Sequence, residues 1–154
     1  MTDKNPLIDF RTWLLTQSTI TTLVNTTNIW KYECRAVSEL PFGKSGQRAL
    51  VIDLLSNIED NQFSSQQNAI LQVKGYAGDT YSAGKKTKDD SEDKCWNFYY
   101  IFDEVLNRKD REILTLNNFI ILGMARTGSP NIQWDETQEC SYILANYDFS
   151  YLLK

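Results

Sequence analysis

DKCWNFYYIFDEVLN, residues 93–107, is the stretch whose periodicity decides the fold. Cys95, Phe98, Tyr99, Phe102, Val105 and Leu106 recur at the i, i+3, i+4, i+7 spacing of a helix with one buried stripe. Two strand-like runs follow. Asn118–Met124 (NFIILGM) is short, apolar and β-rich. In Cys140–Leu153 (CSYILANYDFSYLL), Ile143, Ala145, Tyr147, Phe149 and Tyr151 alternate with Leu144, Asn146, Asp148 and Ser150. Period two marks a strand with one face buried. A Gly128-Ser129-Pro130 turn is expected between the two strands, and Asn107–Asn117 reads as a polar connector after the helix.

Upstream, Asn5-Pro6 suits a helix start, with Asn as cap and Pro at the first helical position. Leu7, Phe10, Trp13 and Leu14 give that helix an apolar face to about Gln17. Ser18–Thr27 is rich in β-branched residues, so the helix stops or restarts there. Ile29–Arg35 alternates as a first strand, Leu40–Gly46 is a loop, and Ala49–Leu55 (ALVIDLL) is a central strand. Ser56–Asn68 reads as a long polar loop. Ala69–Ala77 is the next strand, with Leu71 and Val73 opposite Gln72 and Lys74, and Gly78–Asp90 is a second long loop. Strands joined without intervening helices favour antiparallel pairing. The expected fold is a single α+β domain over residues 1–154. It is a two-layer sandwich with a mostly antiparallel four- to five-stranded sheet, one long helix packed on it and an N-terminal helix.

Chemistry-bearing patterns are sparse. The 154 residues include no histidine, which removes Ser-His-Asp and Cys-His nucleophile arrangements and the usual catalytic zinc sites. The three cysteines (Cys34, Cys95, Cys140) are far apart and form no CxxC pair, fitting reduced, packed thiols in a cytoplasm. A net charge of −4 counts against a dedicated nucleic-acid binder, which needs clustered Lys and Arg. There is no apolar run long enough for a bilayer, and the polar start MTDKNPLIDF is unlike a signal peptide.

Gly78–Thr87 (GDTYSAGKKT) imitates a phosphate-binding loop, but five residues separate its glycines where four are required, and no helix opens directly after the lysine. Asp89, Asp90, Glu92 and Asp93 read better as carboxylates at a helix N-terminus, with Ser91 as cap, than as a cation site. Trp13 and Trp96 belong to helix faces. Trp134 lies in the polar Asn131–Glu139 segment, where it is either an exposed contact residue or folded back on the sheet; Ile58 and Phe63 pose the same question.

The order of elements as a whole, and above all Phe98–Leu106, Ile121–Pro130 and Ile143–Tyr151, resembles the tail terminator (tail completion, tail-to-head joining) proteins of long-tailed bacteriophages. The similarity spans about Leu7 to Leu152. Gly78–Asp90 is longer and more charged than that pattern, and Ser18–Thr27 is unusually Thr-rich. The resemblance implies a small α+β structural subunit without catalytic residues or cofactor, found in the virion and, during assembly, in the host cytoplasm. It implies a self-associated ring, a hexamer, that caps the tail tube and stops its polymerisation. It further implies that the ring contacts the major tail tube protein and the head-completion connector, with DNA passing through the lumen unbound. Residues expected at such contacts are Asn57, Ile58, Glu59, Asp60 and Phe63 in one loop, Lys85 and Lys86 in the other, and Trp134 with Asp135. Other possibilities are a head-closure or adaptor component of the neck, a cytoplasmic protein-binding module, and a small histidine-free enzyme, which would show a deep pocket with a carboxylate or lysine of perturbed pKa.

Overall fold

The structure is a computed structural model that describes residues 5–36, 39–58, 66–108 and 113–154. Helix α1 (Pro6–Leu14) starts as its sequence dictates: the Asn5 side chain accepts from the Leu7 amide at 2.9 Å, and Pro6 occupies the first turn. A short second helix, α2 (Ser18–Thr21), restarts in the Thr-rich segment. Strand β1 is only Ile29–Lys31. The expected strand to Arg35 ends early because Tyr32 takes a left-handed φ of 73°, which turns the chain off the sheet.

Strands β2 (Arg48–Ile58) and β3 (Gln66–Ala77) pair antiparallel, and both run further into the Ser56–Asn68 segment than a loop there allows. The Gly78–Asp90 loop is likewise corrected. It contains a small separate hairpin of β4 (Thr80–Ser82) and β5 (Lys85–Lys88), whose exposed, Lys-rich second strand has neither an apolar alternation nor a strong strand propensity to flag it. Helix α3 covers Ser91–Leu106. After β6 (Leu114–Thr115) comes β7, Phe119–Asp135, which passes straight through the expected Gly-Ser-Pro turn. The register shift between Thr127 and Asn131 absorbs those residues as an irregularity, and the reversal comes later, at residues 136–139. Strand β8 is Cys140–Leu153.

The main sheet has six strands in the order β1-β2-β3-β8-β7-β6, not four or five. It is antiparallel throughout except for the β1–β2 pair, which is parallel. The α+β class holds. One core fills the space between the helices and one sheet face: Leu7, Phe10 and Leu14 of α1, Ile20 of α2 and Phe98, Tyr99 and Phe102 of α3 meet Leu50, Leu71, Val73, Ile143 and Tyr147. Gly75 lies under α3, where an added Cβ would come within 2.8 Å of Phe102 and 3.0 Å of Phe98. The helix rests this close to the sheet because that strand position has no side chain. A smaller cluster (Phe42, Ala49, Val51, Tyr76, Cys140) covers one end of the opposite face, with Trp30 and Tyr142 packed against it.

Candidate functional site

Three loops converge at the end of the sheet where β3 leaves and β8 enters. The Phe42–Ser45 turn lays Gly43 against the residue 136–139 reversal, where an added Cβ would lie 2.1 Å from the Glu139 carbonyl oxygen; only glycine fits this approach. Gln138, 7% exposed, fastens the junction. Its Oε1 accepts from the Phe42 amide at 2.9 Å, and its Nε2 donates to the Cys34 carbonyl at 3.3 Å. The Gly43 amide donates to the Gln138 carbonyl, and Lys44 faces Glu139 at 3.5 Å. The β4–β5 hairpin stands on the same end, tied down by Asp79 and Asp90. Asp79 Oδ1 accepts from the Ser91 amide at 2.8 Å, while Asp90 accepts from the Thr80 amide at 2.9 Å. The cap of α3 is therefore Asp79, twelve residues upstream in sequence. Ser91 lies inside the helix and donates to the Ala77 carbonyl.

The expected contact residues divide into two groups. Lys85 and Lys86 lie on exposed β5; Lys86 sits 3.5 Å from Asp79 and 3.7 Å from Asp89. Trp134 and Asp135 end β7, at this same end of the sheet. Trp134 is on a strand and not in a loop, and it is 56% exposed, so it does not fold back. Asp135 is structural as well as peripheral, accepting from the Tyr76 hydroxyl at 3.1 Å and from the Gln138 amide at 3.0 Å. Asn57 and Ile58 end β2 at the opposite end of the sheet, nine residues of β3 away, or roughly 30 Å. Glu59, Asp60 and Phe63 lie outside the described residues.

The outer edge of β7 is the other feature of this surface. Strand β6 pairs only with Ile120 and Ile121, and the Arg108 amide donates to the Met124 carbonyl. The Arg126 amide donates to Asn107 Oδ1 at 3.3 Å. From Thr127 to Asp135, no backbone partner meets that edge among the described residues, while β8 pairs the inner side. Such an edge is a template for another strand.

No family model matches this chain, and no curated protein does. Among solved structures, one chain whose name states no function is similar over 100% of this chain and 97% of its own, at 10% identity and a TM-score of 0.43. A likeness of that degree carries no argument about function.

Groups with reactive potential are held quiet. Burial pushes the thiols of Cys34 and Cys95 up to about 12, and that of Cys140 upward as well, so all three stay protonated at neutral pH. Tyr76 is raised by burial and by the neighbouring Asp135 carboxylate. Tyr147, also raised by burial, donates to Asp103 Oδ1 at 2.7 Å; Asp103 is in turn 3.2 Å from Arg126, which donates to Tyr99. A polar cleft of 260 Å³ between Tyr32, Cys34, Lys74, Tyr76, Asp135 and Gln138 opens beside the junction. No group of three His, Cys, Asp or Glu side chains suited to a metal occurs among the described residues. No helix among them is long and apolar enough to cross a membrane. The Gly78–Thr87 phosphate-loop imitation is the β4–β5 hairpin, so no helix N-terminus closes over it.

The β7 edge was not legible in the sequence, because the Gly-Ser-Pro signal hides the length of the strand. Asp79 and Gln138 left no signal at all, since both act on residues distant in sequence.

Proposed function

We propose that this chain is a structural subunit of the neck of a long-tailed phage, a terminator that closes into a ring on the tail tube. The ring stops tube growth and joins the tail to the head connector. The observation that carries this reading is the uncovered edge of β7, running from Thr127 to the exposed Trp134 at the end of the strand. A subunit built for self-closing, head-to-tail contacts needs a sticky edge of this kind.

Two further features fit. Contact candidates lie at both ends of the sheet, as a subunit placed between tube and connector requires. The sheet face turned away from the helices carries Asn68, Gln72, Thr127, Asn146, Asp148 and Ser150 in adjacent register, with Lys74 stacked over Tyr142, a mostly neutral polar face that suits passage of DNA without tight binding. The same open edge also suits a cytoplasmic adaptor that takes up a strand of an unrelated protein, or another neck component. The ring distinguishes them.

The test is negative-stain microscopy with mass measurement of the purified protein, alone and mixed with tail tubes. Closed rings, or caps on tube ends, are the expected result. A monomer that ignores tubes at all accessible concentrations refutes the terminator reading.

A further inference from the structure

Resting on the ring reading above, we infer that the strand added to the β7 edge is β5 of a neighbouring copy. The segment Lys85–Lys88 (KKTK) of one subunit lies along Asn131–Asp135 (NIQWD) of the next.

Both strands are available. All four β5 residues are exposed, and neither edge of its hairpin pairs with the six-stranded sheet. The Asn131–Asp135 edge has no backbone partner among the described residues. The charges are complementary. Thr80–Lys88 carries three lysines and no acid, whereas Asn131–Glu139 carries Asp135, Glu136 and Glu139 and no base. Within the subunit, Lys44 faces Glu139, Lys86 faces Asp79 and Lys88 acts on Asp90, which leaves exposed Glu136 and Lys85 for the contact. Trp134, exposed in the same segment, offers an aromatic surface to a lysine side chain laid along it.

The geometry is also of the right symmetry. The hairpin follows β3 near the middle of the sheet, while β7 lies beyond β8 toward the far edge, and both sit at one end. Two different patches on one subunit make a heterologous contact, the kind whose repetition builds a ring when its rotation closes. A β7–β7 pairing would instead stop at a two-fold dimer.

The experiment combines charge reversal with cross-linking, read by mass measurement on protein alone and on tube ends. Lys85→Glu with Lys88→Glu is expected to weaken self-association about tenfold or more, as is Glu136→Lys alone, and the three together restore it. Assembly of the wild type weakens with salt. Independently of charge, Lys85→Cys with Gln133→Cys yields an oxidised ladder reaching the closed ring, which the wild type and each single variant do not. Thermal melting confirms that the variants remain folded. Rings that survive charge reversal and give no ladder overturn this contact while leaving the ring intact. A covalent dimer from Gln133→Cys alone overturns it in favour of β7–β7 pairing. Absence of any ring in the wild type overturns both this contact and the terminator reading.

Discussion

Gly75→Ala is the most direct probe of how α3 is held on the sheet. Away from neighbours, an alanine in a strand interior is better than glycine by roughly 0.5–1 kcal/mol, because the unfolded chain loses less entropy. Here the added methyl would stand 2.8 Å from Phe102 Cε1, 3.0 Å from Phe98 Cδ1 and 3.2 Å from Ile143 Cγ2. Those rings have little room to yield. Phe98 and Phe102 are fully buried and in edge contact at 5.3 Å, and Phe102 also meets Tyr99 at 5.5 Å. Overpacking a filled core typically costs about 1–3 kcal/mol, so the net expectation is a loss of about 1–2 kcal/mol. For a chain of this size that lowers the melting temperature by roughly 2–8 °C. The assay is urea and thermal unfolding of the wild type, Gly75→Ala, Phe102→Leu and the double variant. Because Phe102→Leu removes the ring that collides, the double variant should be more stable than the sum of the single effects implies, by about 1 kcal/mol. A Gly75→Ala protein at least as stable as the wild type, or strict additivity in the cycle, refutes the close-packing argument.

Asp79→Ala removes the acceptor for the Ser91 amide and should cost about 1 kcal/mol in urea unfolding, with the β4–β5 hairpin gaining proteolytic sensitivity; an unchanged midpoint refutes the capping role. Gln138→Ala leaves the buried Phe42 amide without its acceptor and should cost about 1–3 kcal/mol, with Gln138→Glu no better because it loses the donor to Cys34 and places a charge beside Asp135; a mild Gln138→Glu effect refutes this. The Tyr and Cys groups discussed above are raised in the folded state, so their stabilising contribution is complete below the ordinary values, near 9 for Cys and 10 for Tyr, and is lost as pH rises past them. Melting temperature should therefore fall from about pH 9 upward, less steeply in Tyr147→Phe, and a curve flat to pH 11 refutes the assignment.

The sequence announces elements that bury one face and conceals those that do not. Helix α3 and strand β8 were legible to within two residues because their stripes, Cys95 to Leu106 and Ile143 to Tyr151, are what the core requires. The second half of β7 was not legible. Asn131, Gln133 and Trp134 are exposed, so no alternation of burial survives there, and Gly128-Ser129-Pro130 looks like a reversal. A proline without an amide proton is tolerated on an edge strand, and the irregularity takes up the extra residues. For the same reason β5, with four exposed residues, carries no apolar pattern. Of the expected contact residues, Lys85, Lys86, Trp134 and Asp135 come together at one end of the sheet because β7 is long enough to carry the last two there. A turn at residue 128 would have left them elsewhere.

The two edges of the sheet are treated differently, and that difference bears on function. On the β2 side, β1 covers Leu50–Ile52, and the Tyr32 amide donates to the Ile52 carbonyl. Just beyond, the Leu54 amide is taken by Asp53 Oδ1 at 2.8 Å and a register shift follows between Leu54 and Ser56. A bulge and an acidic side chain occupying the backbone donor are the usual means of blunting an edge. On the β7 side, β6, Arg108 and Asn107 cover the strand only as far as Arg126, and the irregularity at Thr127–Asn131 ends before the strand does. Regular pairing with β8 then resumes for the five residues Asn131–Asp135, with Trp134 exposed beside them. A monomer gains nothing from an uncovered strand segment at its periphery, since any strand of suitable sequence can add to it. A subunit that must recruit its neighbour gains a docking line whose polarity and charge select one partner strand, and the covering strand absent from Asn131–Asp135 is what a neighbouring subunit would supply.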